Sequence, residues 1–288
     1  MKIKSTNPVG AHFPVAKGFL GAFEEAVSIG AEAMQIFAKS PMQARLKSVT
    51  KEDAEAVKNF PDRNKIKSLV VHASYLLNFA KPISPDGYEI KSLTEDVFNA
   101  VALGGDGVII HMGKSVGMDK NEAIKNYVEN IKKVIKETNG SRASIILENT
   151  AGQGSEFGFL FEEFGQIYRA IDDNKRVKIC LDTAHSFAAG YDWRDKGLAE
   201  KALLDLDKNI GIKNVACVHF NDSKKPLGSR VDRHEDIGCG TIGLVGLKTF
   251  INELADCGGE NIPLILETPQ GHFSYEEQIL AVKSGLQI

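Results

Sequence analysis

Five of the seven histidines in this chain, His72, His111, His185, His219 and His234, stand at the ends of short apolar runs or just beyond them. Four carboxylates, Glu148, Asp182, Asp232 and Glu267, share that placement. Any one of these residues is a weak signal. A lone histidine is readily satisfied by a hydrogen bond, and Glu148 before Asn149, or Asp182 before Thr183, could equally cap a following helix. The ensemble is more telling, because four carboxylates desolvated in one cavity need cations to offset the cost. Imidazole mixed with carboxylate and without cysteine suits zinc or manganese and argues against a purely magnesium or calcium site. Two spacings point to more than one ion. In Asp182-Thr183-Ala184-His185 the histidine lies a turn past the aspartate, and in Asp232-Arg233-His234 alternate residues can face one side of an extended segment. His185, Asp232 and His234 could therefore hold an ion outside a main cluster. The nine candidates suffice for three ions if a carboxylate bridges two.

Eight apolar runs must carry these groups: NPVGAHF with His12, AMQIF to Phe37, SLVVH to His72, GVIIH to His111, SIILE to Glu148, KICLD to Asp182, NVACVH to His219 and PLILE to Glu267. Short runs rich in Val and Ile are what buried parallel strands look like. Helical segments separate them. Thr50 with Asp53, Ser92 with Glu95 and Ser274 with Glu277 read as helix starts, and Gly30, Gly104 and Gly140 as helix ends. Ile124, Val128, Ile131 and Ile135 form a stripe at helical spacing. Eight alternations predict an α/β fold, a (β/α)8 TIM barrel whose active site gathers at the C-terminal ends of the strands. His12, at the first strand end, is expected to line that pocket without binding metal.

A chain of 288 residues with 43% hydrophobic content fits one such barrel, and no linker divides it, so a single domain over 1–288 is expected. The start lacks the apolar stretch of a signal peptide and no run approaches membrane-spanning length, so a soluble, cytoplasmic protein is expected. Cys180 and Cys217 fall inside strands and read as buried thiols; Cys239 and Cys257 show no paired spacing. A net charge of -3 and a pI near 6.2 argue against nonspecific coating of nucleic acid. Three bound divalent ions would carry the chain to about +3, so a polyanionic partner is not excluded.

HASYLLN, HMG, LENTAGQG, LDTAH, HFNDS, DRHEDIGCGTIG and LETP, in this order, closely resemble the endonuclease IV family of zinc-dependent DNA repair enzymes. The resemblance runs over nearly the whole chain. It implies a first zinc on His72, His111 and Glu148, and a second on Glu148, Asp182, His219 and Glu267. A third would sit on His185, Asp232 and His234, with manganese an option at one or more sites. It also implies hydrolysis of the phosphodiester bond 5′ to an abasic site in double-stranded DNA, leaving a 3′-hydroxyl and a 5′-deoxyribose phosphate. The recognition loop would be FAKSPMQARL, where Gln43 matches the family pattern while Met42 and Ala44 depart from it. Met42 is either an apolar wedge or a surface methionine. Tyr75 could stack in the minor groove, and Lys224, Arg230 and Arg233 of the long loop after His219 could meet phosphates. Cys239 stands where relatives often place a carboxylate. A monomer is expected. The alternative is a metal-dependent sugar isomerase or epimerase on the same barrel, although such a centre has no use for His185 with Asp232 and His234.

Overall fold

The computed structural model describes residues 6–173, 175–286 and 288; residues 1–5, the start of the segment expected to lack a signal peptide, lie outside them. Strands and helices alternate through the chain: β1 (Val9–His12), α1 (Gly18–Ser28), β2 (Ala33–Ile36), α2 (Lys51–Lys58), β3 (Ser68–His72), α3 (Tyr88–Ala102), β4 (Gly107–His111), α4 (Lys120–Glu137) and β5 (Ser144–Glu148). Then follow α5 (Phe161–Ile171), β6 (Val177–Asp182), α6 (Thr183–Ala189), α7 (Lys196–Asn209) and β7 (Val215–His219). A two-residue antiparallel ribbon, β8 (Asp222–Ser223) with β9 (His234–Glu235), precedes α8 (Gly243–Asp256), β10 (Leu264–Leu266) and α9 (Tyr275–Lys283). Strands β1 to β7 and β10 close into a TIM barrel in the order β1-β10-β7-β6-β5-β4-β3-β2, every pair parallel.

The two-residue period of a strand decides what the barrel encloses. Met34, Leu69, Val71, Val108, Ile110, Ile145, Leu147, Ile179 and Leu181 belong to the large core shared with the helices. Ala33, Val70, Ile109, Ile146, Cys180, Cys217 and Ile265, of the opposite parity, form a separate buried cluster inside the barrel. On β1 the corresponding residue is Gly10, where a Cβ would sit 1.5 Å from the Ala33 carbonyl oxygen. Two residues further along each strand, on the same inward face, stand His12, Gln35, His72, His111, Glu148, Asp182, His219 and Glu267. An apolar floor thus lies beneath eight polar side chains. Burying each large floor residue stabilises the barrel by roughly 1.5–3 kcal/mol.

The helix ends follow local chemistry. Thr50 caps α2 by accepting from the Asp53 amide, and Ser274 with Glu277 forms a full capping box on α9. Gly30, Gly104 and Gly140 take positive φ after their helices. Val128 and Ile131 of α4 are buried, with Ile124 and Ile135 partly buried against the same core. The Ser92 start is corrected: α3 begins at Tyr88, and Ser92 is buried inside it. Burial of Ile90 alongside Leu93 draws the extra turn into the helix, and Glu95 accepts from the Lys47 amide and the Ser48 hydroxyl instead of closing a cap. Among the described residues no helix is long and apolar enough to cross a membrane.

Candidate metal centre

The inward residues converge from strands far apart in sequence. Glu148 is buried at their centre: Oε2 lies 3.1 Å from His111 Nε2 and 3.3 Å from His72 Nε2, while Oε1 lies 2.8 Å from His219 Nδ1. His219 Nδ1 is also 3.1 Å from Glu267 Oε2 and 3.9 Å from Asp182 Oδ2. His234 Nε2 approaches Asp182 Oδ2 and Asp232 Oδ1, each at 3.5 Å, and His185 Nε2 is 3.3 Å from the same Asp232 oxygen. Among the described residues four sets of potential ligand atoms each lie within 4.8 Å of one another: His72, His111 and Glu148; Glu148, Asp182, His219 and Glu267; Asp182, His185 and His234; and Glu148, His219 and Cys180. Asp232 touches both histidines of the third set, and Asp182 stands between the second and third.

The donor set fits metal. His185 Nε2 and His234 Nε2 are buried without a hydrogen-bond partner. The other ring nitrogens are committed: His72 Nδ1 to the Ala73 carbonyl at 2.8 Å, His185 Nδ1 to the Asn149 carbonyl at 2.9 Å, and His234 Nδ1 to the Glu267 carbonyl at 3.2 Å. His219 Nε2 goes to Gln35 Oε1 at 2.8 Å. Each of these rings therefore turns its remaining nitrogen toward carboxylates, as ligand histidines do when an outer oxygen fixes the tautomer. Asp182 settles the capping question by doing both jobs. Its Oδ1 accepts the His185 amide at 2.7 Å and caps α6, while Oδ2 faces His219 and His234 and accepts from Asn221 at 2.8 Å. Glu148 caps nothing, since the next helix begins at Phe161.

Charge balance follows from this crowding. Burial alone would hold His111, His185 and His219 neutral, yet the carboxylates outweigh it. Glu148 raises His111, and Asp182 with Asp232 raises His185 well above its usual range. Glu267 and Glu148 carry His219 up to about 10. Burial likewise opposes ionisation of Glu148 and Glu267, but His219 and His111 hold Glu148 well below the carboxylate range and His219 brings Glu267 to about 2. His12 is different: burial lowers it to about 4, Glu267 notwithstanding. Beneath the ring, burial pushes the Cys180 thiol well above its ordinary value, so it stays protonated within reach of Glu148 and His219.

Above the ring opens a cavity of about 350 Å³ lined by His72, Tyr75, His111, His185, Asp232, Arg233, His234, Glu267 and Pro269. Tyr75 forms its aromatic wall, and Phe37 packs behind it, the Phe37 ring 5.2 Å from Tyr75 and 4.5 Å from His12. His12, expected to line the pocket, stands behind that lining, its Nδ1 3.9 Å from Glu267 Oε1. Of the residues expected to meet DNA, Tyr75 and Arg233 reach this cavity. Tyr75 is 54% exposed, and Met42, on the loop after β2, is 71% exposed. Gln43 is exposed beside it and receives the Tyr88 hydroxyl on its carbonyl. Lys224 and Arg230 stand outside the cavity, Lys224 against Glu235 at 3.5 Å and Arg230 over the Phe159 ring at 4.6 Å.

Several supporting residues escape a reading of the sequence. Gln35 lies among His12, His219 and Glu267. Asn221 spans Asp182 and the Glu267 amide, Gln153 accepts the Asp232 amide, and exposed Leu76 stands next to Tyr75. The loop after β2 is seated by Lys39, whose ammonium is buried 2.8 Å from Asp96 and donates to the Ser92 carbonyl. Asn99 holds the same loop through Val49 and Lys47. A signal for Gln35 does exist, since a glutamine inside the apolar run AMQIF, at the parity of the other ring residues, is out of place unless it has partners.

Comparison with known proteins agrees with this geometry. A family described as "Xylose isomerase-like TIM barrel" matches residues 23–285. The chain is 35% identical to a protein named "Probable endonuclease 4" from Chloroflexus aurantiacus, covering 94% of each. It is 38% identical to "Putative endonuclease 4" of Acanthamoeba polyphaga mimivirus, covering 98% of this chain and 94% of that one. The solved structure of endonuclease IV from Thermus thermophilus superposes with a TM-score of 0.81 at 34% identity, over 97% of this chain and 98% of that one. The chain belongs to the endonuclease IV family of xylose isomerase-like TIM barrels.

Proposed function

We propose that this protein is a zinc-dependent apurinic/apyrimidinic endonuclease. It hydrolyses the phosphodiester bond on the 5′ side of an abasic site in double-stranded DNA, leaving a 3′-hydroxyl and a 5′-deoxyribose phosphate. One observation carries the reading: His185, Asp232 and His234 gather beside the deeper set and meet it at Asp182. A sugar isomerase, working with one or two ions, has no task for that third group.

His72, His111 and Glu148 would hold one zinc, Glu148, Asp182, His219 and Glu267 a second, and His185, Asp232 and His234 a third, with manganese able to replace zinc. Bound zinc supplies positive charge for a phosphate and brings the pKa of water to about 7. The chain's own part is positional. Glu148 shares its two oxygens between neighbouring sets, and Glu267 presents Oε2 to the second while Oε1 is held from behind. Four carboxylates against three zinc ions leave a formal charge of about +2, a receptacle for one backbone phosphate. Tyr75 would line a pocket able to take a sugar without a base, with Phe37 and His12 packed behind it, and Met42 and Gln43 would meet the duplex at the rim. Arg233, Lys224 and Arg230 would contact flanking phosphates. The protein would act as a cytoplasmic monomer.

The test pairs elemental analysis with nicking of a duplex carrying one abasic site. About three zinc ions per chain and a single cut 5′ to the lesion are expected. An intact abasic strand with fully zinc-loaded protein would overturn the assignment.

A further inference from the structure

Gln35 is the only amide among the eight inward residues, and its side chain is fully buried. Its Nε2 donates to Glu267 Oε1 at 2.6 Å and meets His12 Nδ1 at 2.9 Å, while its Oε1 accepts from His219 Nε2 at 2.8 Å. The amide can face only one way. Turned over, its oxygen would meet the Glu267 carboxylate, and its NH2 would require an acceptor at His219 Nε2. That would move the His219 proton onto Nδ1, the nitrogen aimed at Glu148 Oε1 (2.8 Å) and Glu267 Oε2 (3.1 Å).

We propose that Gln35 is a positioning residue of the metal centre: it holds His219 in the Nε2–H tautomer, leaving Nδ1 free as a ligand, and restrains Glu267 through one oxygen so that the other faces the same site. The assignment rests on the reading of the centre given under Proposed function. It explains why β2, which ends at Ile36 without a histidine or carboxylate on its inward face, still contributes to the ring. One side chain ties β2 to β1, β7 and the residue following β10. Outer-sphere groups of this kind set metal affinity and activity by about 10- to 100-fold.

The test uses the full chain, with and without zinc, as wild type and as Gln35→Met and Gln35→Glu. Methionine fills the volume and removes every hydrogen bond. With Gln35→Met, zinc at one of the three positions should bind about 10- to 100-fold more weakly in competition with a chromophoric chelator. The kcat for abasic nicking should fall by a similar factor, with KM unchanged because Gln35 lies beneath the cavity. Nitrogen NMR of the zinc-loaded protein should show His219 as the Nε2–H form in wild type and as a mixture in the variant. Gln35→Glu keeps the acceptor for His219 but sets a carboxylate against Glu267, so the tautomer should survive while zinc affinity and kcat fall. Unchanged affinity and an unchanged His219 tautomer in Gln35→Met would overturn the proposal. Should that variant not fold, wild-type zinc affinity and kcat in Gln35→Glu would overturn it instead. If the wild type neither takes up zinc nor nicks abasic DNA, the functional reading fails; if it does both and Gln35→Met matches it in affinity and in the His219 tautomer, only the role of Gln35 fails.

Discussion

Asp222, next to Asn221 at the head of the long loop, offers a sharp test of how the third group is held in place. Its buried carboxylate accepts from five backbone amides. Oδ1 takes Ser223 at 2.7 Å, Ile242 at 3.0 Å and Gly243 at 3.3 Å, while Oδ2 takes Gly238 at 3.1 Å, Gly240 at 3.0 Å and Gly243 at 3.1 Å. The fit leaves no room at Gly240, where a Cβ would lie 2.4 Å from Oδ1. Asp222→Asn keeps the volume but must turn its NH2 toward one of these sets. The Oδ2 side costs less, because Gly243 can remain on Oδ1, and two amides are then left facing a donor. At about 1–3 kcal/mol for each stranded group, the loss is about 2–6 kcal/mol. For a chain of this size that lowers the unfolding midpoint by roughly 5–15 °C, to be read by calorimetry at pH 7. Because the ribbon pairs Asp222 with Glu235 and Ser223 with His234, loosening it should also expose Lys224 and Arg233 to trypsin before global unfolding. A midpoint within about 1 °C of wild type, with unchanged cleavage, would refute the view that one carboxylate organises this loop.

Asp96 should leave a pH signature. Burial pushes its carboxyl up to about 6 from the ordinary 3.8, although Lys39 pulls the other way. Between those values the folded state binds more protons than the unfolded chain, so the contribution to stability present below about pH 4 is lost as pH rises through about 6. Urea unfolding should show Asp96→Asn gaining on wild type by up to about 3 kcal/mol over that interval, and a constant difference would contradict it. Removing metal with a chelator should destabilise the protein by about 4 kcal/mol if ions are present at roughly a thousand times their dissociation constant, a midpoint drop of about 10 °C. An identical midpoint with and without chelator would speak against cations as the compensation for four clustered carboxylates. Glu267→Gln should keep the fold by circular dichroism yet lose nicking activity by about 100-fold or more, and near wild-type nicking would remove Glu267 from the centre.

Much of this architecture is legible in the chain itself. Six of the eight runs carry their polar mark at the residue where the strand ends, because His12, His72, His111, Glu148, Asp182 and His219 each stand where an apolar inward face turns polar. The other two runs extend one residue further, to Phe37 and Glu267, where side-chain character continues past the last ladder hydrogen bond. The start of α3 departs from its sequence signal for a related reason. Ser92 and Glu95 have capping-box spacing, but local spacing does not reveal that Ile90 is drawn into the core one turn earlier. Amides are hardest to see. Gln35, Asn149, Gln153 and Asn221 carry no charge, only Gln35 has a telling position in its apolar run, and their importance lies in partners supplied from elsewhere in the chain. Asp222 and Asp236 are hidden likewise, since their role as acceptors depends on loop amides folding back around them.

The placement of seven polar groups on the strands themselves, with Glu267 directly after β10, separates two kinds of change in this molecule. Spacing within the ring is inherited from the parallel ladder, a lattice with little freedom to drift, whereas the rim is built from connecting segments such as the one holding Met42 and Gln43. A rim segment that carries no candidate ligand, unlike the long loop bearing Asp232 and His234, can therefore be lengthened, shortened or transplanted while the ring below stays in register. Met42 and Ala44 lie on such a segment, so a change there leaves the spacing of the ring untouched.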